Sequence, residues 1–180
     1  MAVTTGLLRV AEFARLPQPP GGIRQELHHG ELVEMAPAKW QHTKIQKRLV
    51  RLAEAAIDGA EFDADKEFPF RPLPEHEVWI ADVAVFSLAV GNRTGDHEYY
   101  SGVPAIVIEV LSPSNTASEM LDREQMCLAD GGQEFWLVDP ERKTVKVTRA
   151  DGHSQVYRGS DSIASDLLGA PIGVDDIFAQ

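Results

Sequence analysis

Apolar and polar positions alternate along this chain in patterns that predict a helix, a central sheet, a second helix and further strands. Ile45, Leu49, Leu52 and Ala56 recur at helical spacing and predict an amphipathic helix over 42–57. Lys44, Lys47, Arg48 and Arg51 fall outside its apolar stripe. A short helix over 11–16 is expected to end at the Pro17, Pro19, Pro20 cluster. Residues 25–35 predict a hairpin turning at His29-Gly30, and apolar runs at 66–70, 80–86 and 105–111 predict strands. Ser114 is placed to cap a second helix running to about 129, ended by Gly131-Gly132. Strands over 134–138, 143–149 and 154–157 follow, joined by turns at Asp139-Pro140 and Asp151-Gly152, which makes a C-terminal antiparallel meander. The expected class is α/β, with a mixed central sheet flanked by helices and a single domain over 1–180.

Two acids break this pattern. Glu109 lies inside the run "PAIVIEVLSPSN" and Asp82 inside "WIADVAVFS", each in the middle of a predicted buried strand. A carboxylate is almost never fully buried unless paired, because desolvating its charge is costly. If the two strands are neighbours, the carboxylates converge, and like charges held close raise a pKa or demand a cation. Mg²⁺ or Mn²⁺ meets that demand through one or two carboxylates, waters and phosphate oxygens, an arrangement suited to phosphodiester hydrolysis. The residues alone leave an alternative open, in which each acid pairs with an internal base or faces solvent at a strand end.

Charge and composition narrow the setting. The formal net charge of −11 argues against general affinity for nucleic acid. Yet residues 39–51, KWQHTKIQKRLVR, carry five basic residues and no acid, whereas 159–180 carry four aspartates and no base. A local binding surface of Lys44, Lys47, Arg48 and Arg51 therefore stands beside the simpler reading of a solvated helix face. No apolar stretch reaches the roughly 18 residues of a membrane span, and the N-terminal residues lack a signal peptide's apolar region. The lone Cys127 excludes an intramolecular disulfide, so a cytoplasmic location is expected. His28, His29, His76, His97 and His153 fall in predicted turns or loops without zinc-ligand spacing, and His42 is expected to pack or cap at its helix start. Cys127 and Trp136 are expected in the core, and Tyr99 and Tyr100 in the packing of the loop 91–103. No glycine pattern points to an organic cofactor.

The strings "HHGELVEMAP", "IADVAVF", "PAIVIEVLSPSN" and "EFWLVDPERKTVKV" occur in the order and spacing of the Uma-type restriction endonucleases, a family of the PD-(D/E)XK nuclease superfamily. The resemblance spans about residues 10–178. It implies a restriction-endonuclease-like core and divalent-metal-dependent cleavage of DNA; a homodimer is then expected, because cutting both strands of a duplex with one site per chain calls for two protomers about a two-fold axis. By position, Asp82 resembles the motif aspartate, with Ala81 where the motif has proline, and Glu109 resembles its second acid. Glu31 matches a recurrent family acid that would complete the metal site.

The lysine of the motif is missing. A D/E-X-K element would place it at residue 111, which is Leu111. In the Uma-type pattern the lysine moves to the following helix, and the matching position here is Arg123. Arginine stabilises phosphate charge but cannot act as a base. An i, i+4 ion pair with Glu119 is expected to hold it. Two readings remain open: an active endonuclease in which Asp82, Glu109 and Arg123 are catalytic, and a catalytically weak or inactive relative that binds DNA or a protein.

Overall fold

The computed structural model describes residues 7–17, 19–35, 37–72, 75–94 and 99–179. A seven-stranded mixed sheet organises them, in the order β5-β3-β4-β6-β7-β8-β9. Its strands are β3 (Phe62–Arg71), β4 (Trp79–Ser87), β5 (Tyr100–Ser101), β6 (Ile106–Val110), β7 (Glu134–Asp139), β8 (Thr144–Arg149) and β9 (Ser154–Arg158). β6 and β7 are parallel and joined by helix α4 (Ala117–Ala129), while β7, β8 and β9 form the antiparallel meander expected from their turns. The hairpin of β1 (Arg24–His28) and β2 (Glu31–Met35) docks on β4 through a bridge between Leu27 and Val78.

Two apolar layers cover the sheet. On one, helix α2 (Trp40–Ala56) packs Ile45, Leu49, Ala53 and Ala56 against Val83, Val85, Ile106, Ile108 and the meander. On the other, Cys127 of α4 packs with Phe135, Val107, Ala84, Ala81 and Trp79. Tyr100 lies in this second layer with Phe68 and Phe86 edge-on to it, so it packs in the core. Trp136 is buried in the first layer, also as expected.

Several boundaries differ from the pattern-based reading. Helix α1 spans only Val10–Phe13, and β3 extends well beyond 66–70. The cap of α4 is Thr116 rather than Ser114: its hydroxyl accepts the Glu119 N–H while the Glu119 carboxylate accepts the Thr116 N–H. A complete capping box satisfies two backbone donors where a lone serine satisfies one. Gly131, at φ 105°, and Gly132 end the helix; a Cβ on Gly132 would lie 2.7 Å from the Cys127 carbonyl oxygen. Within the loop 91–103, residues 95–98, including His97, lie outside the described residues, and a short helix α3 (Leu88–Gly91) leads into it. The chain closes with β10 (Ser162–Ile163), β11 (Ile172–Gly173) and α5 (Val174–Phe178), whose Val174 and Ile177 complete the first layer. Among the described residues no helix is long and apolar enough to cross a membrane.

Strand β4 is irregular at its centre. Ala81 packs in the second layer and Val83 in the first, although residues two apart in a regular strand share a face. The ladder to β3 runs Lys66–Val83 and then Phe68–Ala81, skipping Glu67 and Asp82, and Glu67 has a φ of 53°. The strand therefore rotates at Asp82, and the ladder to β6 ends beside it at Val83–Ile108.

Truncating the best-buried contact of α2, Leu49→Ala, is expected to cost about 2–5 kcal/mol, and removing the α4 cap by Thr116→Ala about 1 kcal/mol. Urea unfolding should show both as lower midpoints with an unchanged slope.

Candidate functional site

The interrupted end of the β4–β6 ladder gathers charge. Asp82 Oδ2 accepts the Val110 N–H at 2.9 Å, so a side chain replaces the missing ladder bond. Its Oδ1 accepts from Gln46 Nε2 at 2.9 Å, and His42 Nε2 lies 2.9 Å from the same oxygen. That His42 contact is close but off the bonding direction of the ring, so the nitrogen has no hydrogen-bond partner; Gln46 Oε1 is likewise buried and unpartnered. His42 thus approaches the carboxylate, and does not cap its helix.

Glu109 is met from the opposite side, by α4. Arg123 Nη1 donates to Glu109 Oε1 at 2.9 Å and to the Ile80 carbonyl at 3.2 Å. Its Nη2 donates at 2.7 Å to Glu26 Oε2, an acid of β1. The guanidinium carbon stands 4.6 Å from the Trp79 ring centroid, a cation–π contact. Arg123 is only 4 % exposed. The inward face of α4 carries Met120, Arg123, Glu124 and Cys127, and Glu124 is paired in turn with Lys146 of β8 at 2.9 Å. Arg123 does not pair with Glu119, whose carboxylate is occupied by the helix cap.

Glu26 completes the cluster, and Glu31 does not. Glu26 is fully buried, accepts the Ile80 N–H at 2.7 Å, and lies 2.7 Å from His28 Nε2. His28 is on β1 rather than in a turn, and stacks on Trp79 at 4.6 Å between centroids. Glu31 is exposed at the start of β2 and makes no hydrogen bond or ion pair with Asp82, Glu109 or Arg123. Nothing in strand periodicity singles out Glu26, since its neighbour Leu27 is also buried; docking of the hairpin on β4 closes both faces of β1.

The basic residues of α2 separate into two groups. Lys44, Lys47 and Arg51 are exposed, whereas Arg48 donates to the Ile177 and Ala179 carbonyls at the C-terminal end of α5. Arg48 therefore ties α5 to α2.

Three carboxylates and one guanidinium leave the cluster net negative, and the acids divide the consequence. Burial works to raise Glu26, but Arg123, His28 and the Ile80 N–H outweigh it and hold that carboxyl below the usual range. Glu109 goes the other way: burial, opposed by Arg123 and reinforced by the charges of Asp82 and Glu26, pushes it up to about 8. Arg123, though burial disfavours its charge, is held more firmly protonated by Glu109 and Glu26. Glu26 is thus the firmer counter-charge to Arg123, and Glu109 is the acid that burial biases toward its protonated form.

That proton sets the pH dependence of stability in metal-free protein. Between the ordinary carboxyl value of 4.5 and about 8, folded Glu109 holds a proton that the unfolded chain has lost. Stability contributed by the protonated form is complete below 4.5 and is lost as pH rises through 8, at up to ~1.4 kcal/mol per pH unit. Urea unfolding from pH 5 to 8 should show this decline, and Glu109→Gln, which cannot ionise, should flatten it.

The residues fit a divalent cation in one respect that the structure shows directly. The charge of Asp82 acts on Glu109, and beside Asp82 the buried His42 Nε2 and Gln46 Oε1 have no partners. Among the described residues no group of three or more His, Cys, Asp or Glu converges to hold a metal. The set suits an ion taking two carboxylates, with water and phosphate oxygens as its other ligands, and does not suit zinc.

Comparison with known proteins agrees with the architecture. A crystal structure described as "a putative nuclease belonging to DUF820", from Anabaena variabilis, superposes with a TM-score of 0.80 over 96% of this chain and 98% of that one. At 20% identity the likeness establishes a shared fold. No curated protein matches the chain. The Uma2 family profile matches residues 10–172. With nearly its whole length covered by that match, the chain belongs to the Uma2 family, described as "Putative restriction endonuclease".

Proposed function

We propose that the protein is a divalent-metal-dependent endonuclease that hydrolyses DNA phosphodiester bonds at the Asp82–Glu109–Arg123 cluster. One observation carries the reading: the buried acids Glu26 and Glu109 pair with Arg123, and the buried Asp82 stands near enough for its charge to act on Glu109, in a chain of a restriction-endonuclease family. Asp82 and Glu109 would hold Mg²⁺ or Mn²⁺, and an ion bound there supplies Lewis-acid polarisation of a phosphoryl oxygen and a more acidic bound water. Gln46 and the Val110 N–H hold the Asp82 carboxylate in a fixed orientation. Arg123 provides a fixed positive charge for a phosphate oxygen, oriented by Glu26, the Ile80 carbonyl and the Trp79 face. It holds no transferable proton at ordinary pH, so it acts by charge and not as a base.

Metal binding tests the first half. Mn²⁺ titration calorimetry should show one site that Asp82→Ala and Glu109→Ala each abolish. Because Glu109 must ionise to ligate, binding below pH 8 should release close to one proton and strengthen as pH rises toward 8. Unchanged binding in both variants would remove these residues from any metal site.

Cleavage tests the second half. In a plasmid-nicking assay with Mn²⁺, Arg123→Lys should retain activity and Arg123→Ala should lose it. Removing the guanidinium leaves two buried acids facing each other, a loss of about 3–5 kcal/mol, so circular dichroism must accompany the Ala variant. Metal binding with no cleavage by the native protein would mark a catalytically silent relative that binds DNA or a protein.

Cutting both strands with one cluster per chain calls for two protomers about a two-fold axis. Strand β9 is the outer strand of the sheet, and its Val156 is 48% exposed. We infer a homodimer through the edge of the meander, and light scattering at micromolar concentration should report twice the chain mass.

A further inference from the structure

The outer face of α2 combines features that the cleavage cluster does not use. Trp40, Lys44, Lys47 and Arg51 follow the i, i+4, i+7, i+11 spacing that places side chains along one helix face. All four are exposed, Trp40 at 73%. No ion pair among the described residues engages the three cations. They are an uninterrupted basic stretch in a chain whose formal charge is −11, and the stripe ends at an acid, Glu54. Trp40 presents its indole face to solvent, whereas the other two tryptophans, Trp79 and Trp136, are buried.

We propose that this face is a docking track for a single-stranded stretch of nucleic acid, with Trp40 stacked on one unpaired base and Lys44, Lys47 and Arg51 meeting successive phosphates. The proposal rests on the nucleic-acid reading of the function and names the form of the ligand. Cations alone suit any polyanion, but a flat aromatic at the head of the stripe adds a π-face that a base matches and an acidic peptide does not. In a duplex the base faces are already stacked, so an open indole selects an unpaired base. Helical rise separates Lys44 from Lys47 by ~4.5 Å and Lys47 from Arg51 by ~6 Å, steps that flexible side chains match to neighbouring phosphates. The same helix turns His42 and Gln46 toward Asp82 on its inner side.

Because Trp40 is the exposed one of the three tryptophans, intrinsic fluorescence reports it selectively. Full-length protein in EDTA at low salt, titrated with a twelve-residue oligothymidine, should show quenching that saturates. Anisotropy of the labelled oligonucleotide should give affinity falling about tenfold in Trp40→Ala and recovering in Trp40→Phe, which restores a stacking ring. Lys47→Gln with Arg51→Gln should lower the slope of log affinity against log salt by about 1.4, at ~0.7 per phosphate contact on a single strand. Native affinity in Trp40→Ala, tighter binding of a duplex of equal length, or equal quenching by polyglutamate would each overturn the proposal. Quenching in a protein that cleaves no DNA leaves the track standing and counts against the nuclease reading; cleavage without quenching overturns the track alone.

Discussion

The buried guanidinium of Arg123 is the interaction around which this structure is organised. A full charge removed from water needs both a counter-charge and hydrogen-bond acceptors, or folding would cost several kcal/mol. The fold provides these from three separate strands: Glu26 on β1, the Ile80 carbonyl and the Trp79 ring on β4, and Glu109 on β6. The N-terminal hairpin, the centre of the sheet and helix α4 therefore have to close on one another together. Removing any acid would leave Arg123 less well matched, and removing Arg123 would leave the acids in mutual repulsion.

The rotation of β4 at Asp82 makes the second half of the cluster. In a regular ladder Asp82 would face the same layer as Ala84, beneath α4. With Ala81 and Val83 packed in different layers, the carboxylate instead reaches Gln46 and His42 of α2. Asp82 and Glu109 are thus oriented by different helices across the sheet, yet remain near enough that the charge of Asp82 disfavours that of Glu109. An arrangement of this kind holds an excess of negative charge that a proton or a cation must balance.

Helix α2 has two charged tasks on opposite faces. Inward, it brings Gln46 and His42 to Asp82 between the apolar contacts of Ile45 and Leu49. Outward, it presents Lys44, Lys47 and Arg51, while Arg48 is turned aside to hold the end of α5. A strongly acidic chain can in this way present a local positive surface without losing the repulsion that keeps it in solution.

Much of the molecule was legible in the residue pattern, because period and turn chemistry are local properties. The spacing of Ile45, Leu49 and Ala56 specified α2, the runs around Asp82 and Glu109 specified central strands, and Asp139-Pro140 and Asp151-Gly152 specified the meander. The intrusion of Asp82 and Glu109 into apolar runs was itself a sign of a charged cluster, whereas Arg123 was marked only by the family resemblance. The partners of those residues were not legible. Glu26 meets Arg123 across 97 positions of chain, and its burial follows from how the hairpin docks, which no local period encodes. Glu31 lies in the same hairpin and looks equivalent in sequence, yet faces water, because only β1 is covered on both sides. Residue type and spacing marked Asp82 and Glu109 for burial; the packing of β1, β4, β6 and α4 decided that Glu26 would join them and which charges would meet, since a buried charge finds its counter-charge only where the tertiary fold brings distant segments together.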